Sequence, residues 1–487
     1  MHESSTIRSV KLQPAHCAVD LGDGSERGEY VCQDYILNVL GRPHRAIGLM
    51  YCYYPLDEGW PRRASEVFPP SPTGNAWGYP YDDYFPYQGG PGGSTTEEAE
   101  PFASMRDIRR HGQDVNLTLT IDCAVPDEHL VQIARELKPF GRLNLRINHE
   151  ATGNWFQFNK RYSYQEVADF FVKFHHIIKQ EAPNIQTVLC IGGVRELADV
   201  KVEREDEFRN AIRTADIWSV DRYIALHWGW PADIAEPGLN NHKLIDVHQV
   251  HLLNQRSFER FCEVNDGTPK PLVLSEVNAD GDVTGAVWQS KIVRDFYRAV
   301  QDRSFSCYRA LSMYQFRDRG RLGLEQEDPN NPQVGIPQPL LDVYRQIIRE
   351  PHFQPRFEYE EIPENAPLEL VWRHAEDAVG LAIPVRFEGQ PTFCEVTFAD
   401  ELNLMLEING RWFYKAPQVS TIDLMPAFID NPIVPGKICY LHLFAPPANG
   451  ENDRQHAAPG EDWSTSWRVI LKQLPQWRIR YRPTMVL

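Results

Sequence analysis

Val115-Asn116-Leu117-Thr118-Leu119-Thr120-Ile121 reads as a strand, and residues 127–138 behind it read as a helix with Leu130, Ile133, Ala134 and Leu137 on one face. Gly141-Arg142-Leu143-Asn144-Leu145-Arg146-Ile147-Asn148 is the next strand. Ser163 then opens a second helix. Ser163 and Glu166 form a capping box, Val167, Phe170, Phe171, Phe174, Ile177 and Ile178 mark one buried stripe, and Pro183 stops it. A third strand follows at 187–191. Strands that alternate with helices imply a parallel sheet. The pattern extends outward to strands at 46–52, around 217–223, at 271–275 and at 310–315, with a helix around 287–300 before the last. No glycine-rich G-x-G-x-x-G follows any of these strands, which weakens a dinucleotide-binding sheet. At this length a closed (β/α)₈ barrel, an α/β fold, is expected.

Beyond residue 355 the pattern changes to antiparallel strands at 368–372, 379–387, 402–408, 411–414, 438–444 and 467–471. Asn409-Gly410 is a type I′ hairpin signal between two of them. The expected division is therefore a segment 1–43 without a clear assignment, a catalytic barrel over 44–352 and a C-terminal β-sandwich over 356–487. Residues 55–100, rich in Pro, Gly and Tyr, form a loop long enough to roof a cleft or to run over the surface.

Composition bounds the function. The 487 residues carry a net charge of −17, which repels phosphate backbones and anionic lipid, so neither nucleic acid nor a membrane is an expected partner. Nine cysteines are scattered without zinc-site spacing, so no metal and no cofactor is expected, and free thiols in a reducing compartment are. No apolar leader is visible at the N-terminus, which gives a cytoplasmic expectation, or a secreted one if a leader was removed. Association through the β-sandwich stays open.

The chemistry concentrates at strand ends, where a barrel builds its active site. Arg146, Asn148 and Glu150 alternate onto one face of their strand, and a bend at the end lets His149 reach the same cleft. Gly153, Asn154, Trp155 and Phe156 follow, placing two aromatic rings beside a strand-end carboxylate. Glu276 closes the apolar run 271–275. Two glutamates at two strand ends suit a retaining glycosidase, which needs carboxyls ~5–5.5 Å apart. One must stay protonated near neutrality and the other ionised, with Arg146 a natural partner of the ionised one. His227-Trp228-Gly229-Trp230-Pro231 lies on the same rim, and Trp155, Trp228 and Trp230 are candidates for stacking on a sugar.

Arg146-x-x-His149-Glu150 with Gly153-Asn154-Trp155-Phe156, the stretch Asp216-Ile217-Trp218-Ser219-Val220-Asp221-Arg222-Tyr223, and Lys270-Pro271-Leu272-Val273-Leu274-Ser275-Glu276 together resemble glycoside hydrolase family 26 of clan A. The resemblance covers roughly residues 115–320. It implies Glu150 as acid/base, Glu276 as nucleophile and Tyr223 as the hydrogen-bond partner of Glu276. His149, Asn148, Phe156, His227 and Tyr314 join the candidate substrate-binding set. The implied substrate is a β-linked glycan, with β-mannan first and β-glucan or β-xylan after it. Two alternatives stand beside it: a carbohydrate-binding protein on a decayed barrel, and an exo-acting intracellular β-glycosidase of another clan A family.

Overall fold

A computed structural model describes residues 6–22, 30–65, 85–227, 242–302, 304–318 and 320–482. Eight parallel strands close into a barrel: β1 (Ala18–Gly22), β2 (Ala46–Tyr53), β3 (Asp114–Ile121), β4 (Leu143–Ile147), β5 (Ile185–Cys190), β6 (Ile217–Ser219), β7 (Leu272–Val277) and β8 (Tyr308–Met313). Closure is made by β8 on β1, with Ala310 opposite Ala18 and Met313 opposite Leu21. A helix follows each strand. The one at Tyr164–Glu181 begins with the expected capping box on Ser163, and it buries Val167, Phe170, Phe171, Phe174 and Ile178. The sheet wall is apolar outward, where Leu117, Leu119, Leu143, Leu145, Leu272 and Leu274 are wholly buried under the helices.

The segment 1–43 divides between both halves of the molecule. The barrel begins at Ala18 rather than at residue 44, and Arg8–Gln13 pairs with Asp377–Arg386 in the C-terminal sheet. β1 is hard to read as a barrel strand because a carboxylate sits in its middle. Asp20 points into the barrel, where Arg45 makes two hydrogen bonds to it, one at 2.8 Å, and Asn116 donates at 3.0 Å. Asn144 donates on to Asn116 at 2.7 Å. The barrel interior is thus a hydrogen-bonded polar column, which a search for apolar runs passes over. A small cavity lies within it, lined in part by Asp20, Asn116, Asn144, Arg146, Ser275 and Tyr314.

The C-terminal half is a β-sandwich. Its eight-stranded antiparallel sheet faces a three-stranded one, Thr421–Asp423, Pro391–Thr397 and Gln476–Tyr481, across Leu381, Ile383, Cys394, Val396, Leu406 and Leu441. Asn409 and Gly410 both take positive φ, 53° and 86°, as the hairpin signal requires. The hairpin turn between Leu368–His374 and Asp377–Arg386 carries Glu376 under the N-terminal end of the barrel. Glu376 Oε2 lies 2.5 Å from Arg309 Nη2 and 3.1 Å from Arg142 Nη2, and the Ala375 N–H donates to Asp114 at 3.2 Å. Only 3% of Glu376 is exposed. Burial opposes its charge, but Arg142, Arg45 and Arg309 outweigh burial and hold its carboxyl down at about 2.

A carboxyl held lower in the folded than in the unfolded chain stabilises the fold above its unfolded value, near ~4.3, and loses that contribution as pH falls through its folded value. Glu376 is therefore expected to contribute about 3 kcal/mol at neutral pH, lost between about pH 4 and pH 2. Glu376→Ala, which strands two partly buried guanidinium groups, should lower the urea midpoint by the equivalent of about 2–3 kcal/mol. It should also flatten the acid limb of the stability curve. An unchanged midpoint would show that the sandwich carries no charge for the barrel.

Candidate active site

Four barrel strands deliver the site. β4 ends at Ile147, and the next three residues turn sharply because Asn148 and Glu150 both take left-handed backbone, φ 48°. Asn148 can adopt it because its side chain is tied down: its Oδ1 accepts from the Ile121 N–H at 2.7 Å, and its Nδ2 meets Cys123 Sγ at 3.6 Å. The bend brings His149 around to the same side as Arg146, against strict alternation. The loop after β4 is braced from behind. The Ala151 N–H donates to the Cys190 carbonyl at 3.0 Å, the Trp60 indole donates to the Gln157 carbonyl at 3.1 Å, and the Arg161 guanidinium lies 3.9 Å over the Trp60 ring. In the long 55–100 loop, residues 55–65 thus buttress the neighbouring loop, while 66–84 lie outside the described residues.

Glu276, near the end of β7, is surrounded by protein donors. His149 Nε2 stands 2.9 Å from its Oε1, Arg146 Nη2 3.2 Å from the same oxygen, and Tyr223 Oη donates to Oε2 at 2.8 Å. Burial acts against its ionisation, but the His149 charge and hydrogen bond, then Arg146 and Tyr223, prevail and hold it at about 2. Arg146 is itself fixed by donating Nε to Thr118 at 2.6 Å. Asp221 lies behind this pair. Its Oδ1 accepts the Glu276 N–H at 3.0 Å, and its Oδ2 faces His149 Nδ1 at 3.3 Å, Cys190 Sγ at 3.1 Å and Arg146 Nη1 at 3.5 Å. Burial and then the Glu276 charge push the Asp221 carboxyl upward. Burial and Arg146 oppose the imidazolium of His149, yet Glu276, with Cys190 and Glu150 behind it, raises it well above the ordinary histidine value.

Glu150 is placed differently. One of its oxygens lies within 4.8 Å of one of Glu276. His149 Nε2 is 4.0 Å away, and its only close donor among the described residues is the Trp155 indole, Nε1 to Oε2 at 2.6 Å. Burial, reinforced by the charges of Glu276 and Asp221, raises it to about 7. Trp155 folds back over Gly153, where a Cβ would stand 2.5 Å from the indole ring and would force the ring to move. The two glutamates thus sit side by side with their proton affinities pushed in opposite directions.

The remaining expected residues divide. Trp155 is 38% exposed and borders open space. Phe156 is buried, stacked on Phe158 at 5.7 Å and edge-on to His149 at 5.3 Å, so it walls the histidine instead of presenting a face. Tyr314 is buried edge-on to Tyr223 at 5.7 Å. Asn148 shapes the backbone and does not reach the carboxylates. His227 lies in the short strand Ala225–His227, paired with His242–Leu244. Trp228 and Trp230 lie outside the described residues. Asp221, Cys190 and Thr118 were not expected. Asp221 had a signal, since it shares strand parity with Tyr223 and is a lone carboxylate closing an apolar strand, as Glu276 is.

No family model matches the sequence, and no curated protein matches it. Among solved structures, a family 26 β-mannanase from Bacteroides ovatus is similar at 10% identity and TM-score 0.41, over 69% of this chain and 89% of that one. A modular family 26 endo-β-1,4-mannanase from Cellulomonas fimi is similar at 12% identity and TM-score 0.42, over 88% and 89%. An α-L-arabinofuranosidase from Thermotoga maritima is similar at 11% identity and TM-score 0.43, over 89% and 97%. Likenesses at this level carry nothing about substrate or reaction. No helix among the described residues is long and apolar enough to cross a membrane.

Because Glu276 is what raises His149, Glu276→Gln should let the buried imidazolium discharge. Nitrogen-15 chemical shifts of the His149 ring should report a protonated ring at pH 7 in the wild type and a neutral one in the variant. A ring that stays protonated in Glu276→Gln would assign the shift to Asp221 instead.

Proposed function

We propose that the protein is a retaining glycoside hydrolase acting on a β-linked carbohydrate, with Glu276 as nucleophile and Glu150 as acid/base. The observation that carries this reading is the pair itself. Two carboxyls with oxygens within 4.8 Å of each other stand at the ends of two strands of a closed barrel, one held near 2 and the other near 7. A separation this short matches the ~5–5.5 Å of pairs in which one carboxylate attacks the anomeric carbon directly, and falls short of the ~6.5–9.5 Å that an attacking water needs. The opposed proton affinities supply one ionised and one protonated carboxyl at neutral pH.

In the first step a Glu276 oxygen attacks the anomeric carbon while Glu150 gives its proton to the departing glycosidic oxygen, leaving a glycosyl ester on Glu276. In the second step Glu150, now ionised, takes a proton from water, whose oxygen displaces Glu276 with net retention. Arg146, His149 and Tyr223 hold Glu276 in one orientation, and Asp221 holds His149 and Arg146 to that task. The Trp155 indole keeps Glu150 directed into the cleft and offers its exposed face to a sugar ring. The β-mannan class, with β-glucan or β-xylan next, rests on the sequence resemblance alone.

Glu276→Ala should reduce turnover of β-linked oligosaccharides ~10⁴-fold or more while binding persists. Glu150→Ala should cost ~10²–10⁴-fold on natural leaving groups and far less on activated aryl glycosides. Proton NMR of the first product formed should show the β-anomer. An α-anomer, or activity kept in either variant, overturns the assignment.

The pH dependence follows from the same two groups. The base form of Glu276 is present well below neutrality, whereas the acid form of Glu150 is lost as pH rises through about 7. The profile of kcat/KM should therefore be flat through weak acid and fall above about pH 7. Gly153→Ala, which displaces the indole that favours the Glu150 carboxylate, should move that limb upward. An unmoved limb would detach Trp155 from the titration of Glu150.

A further inference from the structure

Cys190 has no part in the mechanism above, yet its thiol is 1% exposed and closes a triangle with His149 and Asp221. His149 Nδ1, Cys190 Sγ and an Asp221 oxygen all lie within 4.8 Å of one another. Two edges of the triangle, thiol sulfur to carboxylate at 3.1 Å and imidazole nitrogen to the same oxygen at 3.3 Å, are near the edges of a tetrahedral zinc site. Zn–S near ~2.3 Å and Zn–N or Zn–O near ~2.0–2.1 Å set those edges at roughly 3.3–3.6 Å. His149 Nδ1 is buried, faces this triangle and makes no hydrogen bond of good geometry there. Its other nitrogen is already engaged by Glu276 at 2.9 Å. A carboxylate on the far nitrogen is what orients a metal-binding histidine and fixes its tautomer.

We propose that His149, Cys190 and Asp221 form a site for a thiophilic divalent cation of the zinc class, and that filling it switches the carboxyl pair off. The switching half of the proposal rests on the hydrolase reading; the binding half does not. Charge balances. The dication displaces the thiol proton of Cys190 and the Nδ1 proton of the His149 imidazolium, so the net charge of the buried cluster is unchanged. Asp221 Oδ2 passes from Arg146, 3.5 Å away, to the metal, while Arg146 keeps Glu276 and Thr118. A metal on Nδ1 turns the His149 ring toward Cys190 and Asp221 and away from the Glu276 oxygen that Nε2 holds at 2.9 Å, so the nucleophile loses its fixed orientation.

The test uses the full chain after treatment with chelator and reductant. Titration with Co²⁺ should produce a thiolate-to-cobalt charge-transfer band that Zn²⁺ abolishes by displacement. Cys190→Ser, which keeps a hydrogen-bond donor to Asp221, should lose the band and bind Zn²⁺ ~100-fold or more weakly. Turnover of a β-linked oligosaccharide by the wild type should fall at least ~10-fold with Zn²⁺ and return with chelator, while in Cys190→Ser the ratio with and without Zn²⁺ should stay near one. Absence of the band in the wild type, or its persistence in Cys190→Ser, overturns the site. A band with turnover untouched by Zn²⁺ overturns the switch. If the wild type cleaves no glycan, the hydrolase reading and with it the switch fail, and the cobalt band still decides the binding site.

Discussion

The candidate site depends on how charge is counted in a space that water barely enters. Arg146 and His149 bring two cations, and Glu276 and Asp221 take them up. Asp221 faces donors from His149, Cys190, Arg146 and the Glu276 backbone, an environment suited to an acceptor-only carboxylate. The third carboxyl, Glu150, finds no cation left within hydrogen-bond reach among the described residues, and its partial burial beside two acidic neighbours raises its proton affinity toward neutrality. Which glutamate is acid and which is base is thus decided by the arrangement of their neighbours, with identical side chains at two strand ends.

That arrangement is held from below as well as from the sides. Arg146 is anchored on Thr118, and beneath it the interior continues through Asn144, Asn116, Asp20 and Arg45. A polar column of this kind must be closed at the far end, since a buried unpaired charge costs several kcal/mol. Glu376 supplies the closure from the sandwich, against Arg142 and Arg309. Arg8–Gln13 lies in the sandwich sheet and leads directly into β1 of the barrel, so the two halves share a covalent thread at the same end. The sandwich therefore acts on the barrel whatever else it does.

Much of this was legible in sequence, for identifiable reasons. The helix at Tyr164–Glu181 carries its own cap and stripe, β2 and β7 are largely apolar runs, and β3 and β4 alternate apolar with polar residues. β1 was missed because Asp20 interrupts five residues, and its partner Arg45 is remote in sequence. Arg356–Glu361 and Gln476–Tyr481 are hard to read because edge strands alternate weakly and carry charge, and Arg8–Gln13 and Pro391–Thr397, though paired on both sides, are short and interrupted by polar residues. Glu150, Glu276, Arg146, His149 and Tyr223 are readable in the sequence as site residues, and the fold brings them together. Parity alone put Asn148 in the cleft, whereas the left-handed backbone at that residue turns it away and brings His149 in. A strand-period argument cannot see such a turn.

The aromatic residues make the same point about chemistry. Phe156 and Tyr314 look in sequence like surfaces for a sugar, but in the fold they are buried against His149 and Tyr223 and leave little ring area open. Their effect is to displace water from around the carboxyls, which raises both proton affinities and leaves the cations and donors around Glu276 to separate the two. Trp155 alone of this group keeps a large exposed surface while holding an acid group. In the proposed reaction, recognition of the sugar and tuning of the acid would then meet in one side chain. A ring that stacked on this indole would bear directly on the hydrogen bond that directs Glu150.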